Sequence, residues 1–128
     1  MRLLLDTHAL LWWFAGDRRL TATARAAMDD RANEVFVSAV SAYEIAFKAA
    51  RGRLRHARAV SDDVSGAVTL EEFQELALSM ADAERAGRLP PPIRDPFDRF
   101  LVAQALGGDL HLVSNERMFD HYGVRRLW

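Results

Sequence analysis

The sequence predicts an α/β fold built on a parallel sheet, because short apolar runs alternate along the chain with segments of helical pattern. The first run, residues 3–5, consists of three leucines, as expected for a strand that is buried on both faces. Residues 35–37 form a second run, residues 110–113 form a third that His111 interrupts, and residues 124–128 are predicted to add an edge strand. The chain has 128 residues and no internal repeat, so we expect a single domain over residues 1–128.

The segments between these runs carry polar caps and glycine stops, which are typical of helix ends. They predict helices over residues 9–14, 21–28, 40–51, 82–86 and 96–106. Residues 55–69 are polar and weakly periodic, and we expect one further helix there. Residues 89–92 contain the proline cluster and are expected to form a stiff connector, because too little chain lies on either side for two separate cores.

The composition excludes several classes of protein. Cysteine is absent, which excludes disulfide scaffolds, thiolate zinc sites and cysteine nucleophiles and makes a cytoplasmic location the default expectation. With 17 Lys+Arg against 18 Asp+Glu, the chain has no general positive field for nucleic acid, so any such contact must be local. The longest apolar run, residues 9–15, is shorter than the roughly 20 residues of a membrane-spanning helix, and we expect no membrane segment.

Asp6 is the first of several acidic residues at positions where a ligand site is expected. It directly follows the leucine run, so it lies at the carboxyl end of the first strand, the edge at which ligands bind to open parallel sheets. Capping of the helix that follows explains an Asp at this position as well. Asp6 alone therefore leaves two interpretations, a site residue and a helix cap.

Glu44 falls on what we predict to be the inward face of its helix. That face is formed by apolar side chains at helical spacing: Val40, Tyr43, Phe47 and Leu54. A buried carboxylate must be paired or ligated, because an unpaired buried charge is costly. A capping box with Ser41 and an i,i+4 pair with Lys48 are the structural alternatives to a ligand role.

Two more acids, Asp95 and Asp98, lie at the start of the helix predicted over residues 96–106. Pro96 suits the first helical position, which makes Asp95 the predicted N-cap and places Asp98 in the first turn. On the helical wheel Asp98 lies among the apolar residues, with Gln104 towards the other side, so Asp98 is predicted to face the core.

Glu116 follows the last buried run, again just beyond a strand's carboxyl end, although Glu is also common in the first turn of a helix. Together Asp6, Glu44, Asp98 and Glu116 come from four elements that meet at one sheet edge. Carboxylates that lie close together repel one another unless cations compensate them. Oxygen ligands in a chain without cysteine indicate Mg²⁺, with Mn²⁺ as a substitute.

A pattern of four stretches extends over nearly the whole chain. They are residues 4–12 (LLDTHALLW), 37–45 (VSAVSAYEI, with Lys48 and residues 52–54, GRL), 95–99 (DPFDR, through residues 102–105, VAQA) and 112–114 (LVS). In this order and spacing the pattern resembles the PIN domain, and specifically the VapC-type ribonuclease toxins of prokaryotic toxin–antitoxin pairs.

The resemblance implies a three-layer α/β/α fold with a short, mainly parallel central sheet. It also implies a catalytic set of Asp6, Glu44, Asp98 and Glu116, in which Asp6, Asp98 and Glu116 hold the metal. The family's fourth acid is commonly Asp, and this chain has Glu116 there. Members with the same Asp-Pro-Phe-Asp-Arg signature often carry His shortly before it, and this chain has Ile93.

The resemblance further implies residues that support the site or contact RNA. The supporting residues are Asp95, Thr7, Ser38 and Ser114. The candidate contacts to an RNA backbone are Arg51 and Arg53, with Arg55 and Arg58 beside them. A solvated helix end and loop is the alternative interpretation of these arginines.

The activity implied is metal-assisted hydrolysis of RNA phosphodiester bonds, in which Glu44 binds metal or orients the attacking water. The implied partners are a cognate antitoxin and a second copy of the chain in a homodimer. Trp12 and Trp13 are adjacent on one helix and cannot both face one core, so we predict that at least one of them contacts a partner.

Two other functions are consistent with these residues. A catalytically inactive PIN-like binding module is suggested by Glu116 and Ile93, which depart from the family pattern. A phosphotransfer domain with Asp6 as phospho-acceptor is the other, although His8 stands where such a domain carries a second acid.

Overall fold

The computed structural model describes residues 1–54 and 57–128, and at its centre lies a five-stranded parallel sheet. The strands are β1 (Arg2–Leu5), β2 (Glu34–Ser38), β3 (Gln74–Leu76), β4 (His111–Val113) and β5 (Arg126–Leu127). They lie in the order β3-β2-β1-β4-β5. β1 is therefore central, and its Leu5 lies opposite Val37 of β2 on one side and Val113 of β4 on the other. The predicted α/β class and parallel sheet are confirmed.

Helices connect these strands. They are α1 (Thr7–Ala15), α2 (Ala22–Asp29), α3 (Ala39–Ala50), α4 (Arg58–Ser61), α5 (Val64–Leu70), α6 (Met80–Arg88), α7 (Pro96–Gly108) and a 3-10 helix at Arg117–Tyr122. The five helices predicted first correspond to α1, α2, α3, α6 and α7. Within residues 1–54 and 57–128, no helix combines the length and the apolar character that a membrane crossing needs.

Both faces of the sheet are covered. Leu3 and Leu5 of β1 pack into one core with α1 and with Ile45 of α3. Leu4 points to the opposite face and packs with Leu101 of α7. All these side chains are fully inaccessible to solvent except Leu101, which is nearly so. The run of three leucines thus reflects a strand with a core on each side, in a three-layer α/β/α arrangement.

The single helix predicted over residues 55–69 is wrong for the part of that segment that the structure describes. Arg55 and His56 lie outside the described residues, and from Arg58 onward the chain forms α4 and α5 instead. The break falls at Asp63, whose side chain accepts a hydrogen bond from the Gly66 N–H at 2.9 Å and so caps α5. An N-cap residue has an extended backbone, which interrupts a continuous helix.

Strand β3 is not predicted from the sequence. It reads Gln-Glu-Leu and lies at the edge of the sheet, where it pairs only with β2. An edge strand is exposed along its outer side, so it needs no apolar run, and the pattern that identified the central strands is missing.

Trp12 and Trp13 both pack on this chain, and the predicted contact of one of them with a partner stays a prediction. Trp12 is buried, and its ring stacks on His8. Trp13 is half-buried against Phe73, and its Nε1 donates a hydrogen bond to the Glu71 carboxylate at 3.1 Å. The segment after α5 thus covers part of the second ring.

Replacing Leu112 tests the core that contains Leu4 and Leu101. This β4 side chain is fully buried, so Leu112→Ala should lower the free energy of unfolding by about 2–5 kcal/mol through lost burial and a cavity. Leu70 is the control, because it is 85% exposed and Leu70→Ala should change the free energy by less than about 0.5 kcal/mol. Urea denaturation measures both, and equal losses would contradict the assignment of the core.

Candidate active site

The acidic residues gather at the carboxyl edge of the sheet, beside the junction of β1 and β4. The chain adds β2 and β3 on one side of β1 and then β4 and β5 on the other, so the order in which strands are added reverses between β1 and β4. Ligands bind to open parallel sheets in the crevice at such a switch point. The Asp6 N–H donates to the Val113 carbonyl at 3.1 Å and extends the pairing one residue past the strands.

Asp6 is both a helix cap and a residue of this crevice. Its buried carboxylate accepts a hydrogen bond from the Ala9 N–H at 2.7 Å, which caps α1, and it is also hydrogen-bonded to Ser114 beyond β4. Burial raises the pKa of Asp6, while these two hydrogen bonds and the charge of His8 oppose the rise. The two interpretations of Asp6 are therefore compatible.

The second acid, Glu44, is buried on α3 and held on both carboxylate oxygens. Oε1 accepts a hydrogen bond from the Thr7 hydroxyl at 2.6 Å, and Oε2 accepts one from the Lys48 ammonium at 2.6 Å. The predicted i,i+4 pair with Lys48 is confirmed. The side chain thus faces α1 and the end of β1, where Thr7 follows Asp6 directly.

The start of α3 and its buried face both differ from the sequence-based interpretation. Its N-cap is Ser38, which accepts a hydrogen bond from the Val40 N–H at 3.1 Å, so Ser41 makes no capping box. Ser41 is fully buried instead, and its hydroxyl lies 3.1 Å from the Thr7 hydroxyl. The buried face consists of Val40, Ser41, Glu44 and Ile45.

The aromatic residues of α3 lie on its other face. Tyr43 is 58% exposed and Phe47 is 38% exposed, although both were assigned to the inward face by their apolar character. The inward face combines apolar Val40 and Ile45 with polar Ser41 and Glu44, and α3 packs against α7, β2 and α1. Glu44 is thus buried as predicted, but among different neighbours.

Asp98 experiences the charge of the whole cluster. It lies half-buried in the first turn of α7, and Asp95 caps that helix by accepting from the Phe97 N–H at 2.8 Å, as predicted. Burial, followed by the charges of Asp95, Glu44, Asp6 and Glu116, raises the pKa of Asp98 to about 7. The structure therefore brings all the predicted acids within electrostatic range of Asp98.

Glu116 lies at the exposed rim of the cluster. Its carboxylate accepts a hydrogen bond from the Met118 N–H at 3.0 Å and caps the 3-10 helix, while its own N–H donates to the Ser114 hydroxyl at 3.0 Å. Of the four acids that raise the Asp98 pKa it has the smallest effect. Ser114 thus joins Asp6 to the loop that carries Glu116.

Gln104 is a residue of this region that sequence reasoning missed. The Ser38 hydroxyl donates to its side-chain carbonyl at 2.6 Å, and its amide donates to the Ala77 carbonyl at 3.2 Å. Gln104 is buried, contrary to its predicted position away from the core. Its spacing of three residues from the buried Leu101 is the signal that could have identified it. It links α3 to α7, the two helices that carry Glu44 and Asp98.

The arginines predicted to contact RNA lie on the surface. Arg51 and Arg53 are exposed, and the Arg51 guanidinium lies over the Phe47 ring and donates to the Phe47 carbonyl at 3.2 Å. Arg58 is exposed on α4, and Arg55 is outside the described residues. The exposed positions of Arg51, Arg53 and Arg58 suit both solvated side chains and RNA contacts.

Comparison with known proteins identifies the fold family. Residues 3–124 match the PIN domain. The chain belongs to the PIN-domain family. It is 31% identical over 115 residues to ribonuclease VapC22 of Mycobacterium tuberculosis, an alignment that covers 89% of this chain and 86% of VapC22. The resemblance to VapC-type proteins noted from the sequence motifs is thereby confirmed.

Solved structures share the architecture of this PIN domain. VapBC2 from Rickettsia felis, bound to a DNA fragment from its promoter, matches with a TM-score of 0.70 and 13% identity over 100% of both chains. VapC20 of M. tuberculosis, a sarcin-ricin loop cleaving toxin, matches with a TM-score of 0.69 and 16% identity over 95% of each chain. At these identities the likeness concerns the fold.

The donor set of this PIN domain fits a hard divalent cation. Every acid of the cluster offers carboxylate oxygens, the ligands that Mg²⁺ and Mn²⁺ prefer. Among residues 1–54 and 57–128, no group of three or more acidic, imidazole or thiol side chains is placed so that it could hold a metal ion. Mg²⁺ needs no group of that size, because it keeps several waters and uses one or two carboxylates. Burial is the first cause of the raised Asp98 pKa, and the charges of four neighbouring carboxylates add to it; a bound cation would offset those charges.

The charge on Asp98 should make the metal-free protein less stable as the pH rises. The folded pKa of about 7 lies above the ordinary value of 3.8, so folding favours the protonated form, and stability falls between about pH 4 and pH 7. Asp98→Asn mimics the neutral form. In EDTA it should raise the melting temperature by much more at about pH 8 than at about pH 5, where only roughly a third of the loss in stability has occurred.

Asp95→Asn is the matched variant for this experiment. Asn keeps the side-chain oxygen that caps α7 but removes the charge that contributes most to the Asp98 shift after burial. It should lower the Asp98 titration midpoint followed by carboxylate ¹³C NMR. A midpoint near the ordinary Asp value in the wild-type protein, or an equal thermal shift at both pH values, would contradict this account.

Proposed function

We propose that this chain is a Mg²⁺-dependent endoribonuclease and the toxin component of a type II toxin–antitoxin pair. The observation that carries the proposal is the set of carboxylates around Asp98, whose pKa is raised to about 7 by burial and by these neighbouring charges. Membership of the PIN family and the 31% identity to ribonuclease VapC22 support a nuclease activity. RNA is the proposed substrate because that relative is named a ribonuclease.

Asp6, Asp98 and Glu116 are the residues that would hold the metal. Asp6 and Glu116 flank the ends of β1 and β4, and the buried Ser114 hydroxyl connects them through its hydrogen bonds. The bound ion would supply a polarised water and neutralise charge on the scissile phosphate, with Mn²⁺ as a substitute for Mg²⁺. Asp98 and Asp6 are partly or fully buried, which strengthens their attraction to a cation.

Glu44 would orient the attacking water. Its carboxylate is fixed by Thr7 on one oxygen and by Lys48 on the other, so its direction is set before substrate binds. Each oxygen keeps a lone pair with which to accept a hydrogen bond from water. Asp95 and Ser38 act more remotely: Asp95 adds charge beside Asp98, and Ser38 fixes α3 to α7 through Gln104.

An antitoxin protein and a second copy of the chain are the proposed partners, in a cytoplasmic setting. The fold likeness to the VapBC2 structure supports the first of these. Arg51 and Arg53 are proposed to contact the RNA backbone, since both are exposed near the end of the helix that carries Glu44.

A catalytically inactive binding module is the second candidate function. Glu116 favours it, because this exposed side chain already caps the 3-10 helix and lies on a longer stem than the family's usual Asp. The phosphotransfer alternative has less support, because the Asp6 carboxylate is buried and hydrogen-bonded at the start of α1.

Cleavage of RNA by the purified, antitoxin-free protein tests the proposal. Total tRNA and rRNA are incubated with the protein in Mg²⁺, with and without EDTA. We expect cleavage that EDTA abolishes. Asp98→Asn should lose more than the roughly 10- to 100-fold that outer residues of a metal site cost, because a metal ligand is removed.

Asp29→Asn is the control for loss of an acidic side chain. Asp29 is exposed at the end of α2, which leads into the amino end of β2, whereas the carboxylate cluster lies at the carboxyl ends of the strands. This variant should therefore cleave like the wild type. Cleavage that persists in EDTA or in Asp98→Asn would exclude this cluster as the source of activity. A folded protein that neither cleaves RNA nor binds a divalent cation would favour the binding module.

A further inference from the structure

Lys48 is the only lysine of the chain, and it lies beside the candidate active site. The remaining basic residues among the 17 Lys+Arg are all arginines. Its ammonium lies 2.6 Å from Oε2 of Glu44, and the two side chains are 32% and 11% exposed. This inference rests on the proposed nuclease function and concerns how the Glu44 carboxylate is held.

The Lys48–Glu44 pair differs from the other ion pairs of the described residues. Five further pairs join arginines to acids that lie outside the carboxylate cluster: Asp17, Glu72, Glu84, Asp109 and Asp120. Most of those pairs are well exposed, and exposed pairs contribute little to stability. Lys48 thus brings a positive charge into contact with an acid of the cluster, at a partly buried position.

The geometry around Glu44 suits a lysine. Thr7 donates to Oε1, and the lysine ammonium contacts the other oxygen, Oε2, alone. A lysine ammonium is a compact point charge that fits one oxygen, whereas a guanidinium is a planar fork suited to binding both oxygens of a carboxylate. Thr7 and Lys48 together prevent the Glu44 carboxylate from rotating.

We propose that Lys48 is a positioning residue for the nuclease reaction. It acts through Glu44, whose carboxylate it holds in the orientation needed to align the attacking water. Loss of Lys48 should therefore lower kcat and leave the KM for RNA nearly unchanged. The affinity for Mn²⁺ should not weaken, because removal of a positive charge beside the acids cannot disfavour a cation.

Chemical rescue tests this proposal, because the chain has no cysteine and no other lysine. In Lys48→Cys the new thiol is alkylated with 2-bromoethylamine, which restores an ammonium on a side chain of nearly the same length. Lys48→Cys should lower kcat by about 10- to 100-fold, the usual cost of a residue that orients the groups of a metal site. Alkylation should restore most of the loss.

Arg88→Cys is the matched control. Arg88 pairs with Glu84 at 2.9 Å in the same i,i+4 arrangement, on α6 and outside the carboxylate cluster. Neither this substitution nor its alkylation should change kcat. Circular dichroism and thermal melting establish that each variant is folded before its activity is compared.

Three results would overturn the proposal. Lys48→Cys with wild-type kcat, or a folded Lys48→Cys that alkylation fails to rescue, would show that the ammonium has no role in positioning. A loss confined to KM would mean that Lys48 contacts RNA directly. Weaker Mn²⁺ binding measured by electron paramagnetic resonance would mean that it supports the metal site instead.

Failure of the proposed function gives a different result. A wild-type protein that binds Mn²⁺ but cleaves no RNA would contradict the nuclease assignment. The carboxylate ¹³C signal of Glu44 would then report on the pairing separately: it should shift in Lys48→Cys, return on alkylation and remain unchanged in Arg88→Cys. A Glu44 signal unaffected by Lys48→Cys would refute the positioning role whatever the activity.

Discussion

The central position of β1 is the constraint on which the rest of the structure depends. β1 pairs in parallel with β2 and β4, and both of its faces are covered by core side chains. Parallel pairing brings the carboxyl ends of the three strands to one edge, where α1 and α3 begin and α7 packs against α3. Each of these elements contributes an acid, so the cluster follows from the topology.

The electrostatic cost of this arrangement is unevenly distributed. Glu44 is compensated by Lys48 and Thr7, and Asp6 by hydrogen bonds from Ser114 and the backbone of α1. Asp98 is partly buried and is surrounded by other carboxylates, which is why its pKa rises to about 7. A fold that concentrates unfavourable charge at one point while the neighbouring acids are satisfied is typical of a functional site, where stability is given up for chemistry.

Much of the fold and of the candidate site could be predicted from the sequence. The central strands, the helix caps Asp6 and Asp95, and the burial of Glu44 follow from local patterns that the structure preserves. Strand β3 could not be recognised, because an edge strand lacks an apolar run. The outward position of Tyr43 and Phe47 depends on how α3 packs against α1, which residue type alone does not reveal. The electrostatic coupling to Asp98 arises from residues distant along the chain, so it could be recognised only from the folded structure.

The proposed function requires that these carboxylates bind a divalent cation. Titration of Mn²⁺ into the metal-free protein, followed by electron paramagnetic resonance at about pH 8, tests this claim most directly. The wild type should bind Mn²⁺, more weakly at about pH 5 where Asp98 is protonated, and a variant with Asp6→Ala and Asp98→Ala should not bind it. Equal binding by a folded double variant, or no binding by the wild type at either pH, would contradict the account.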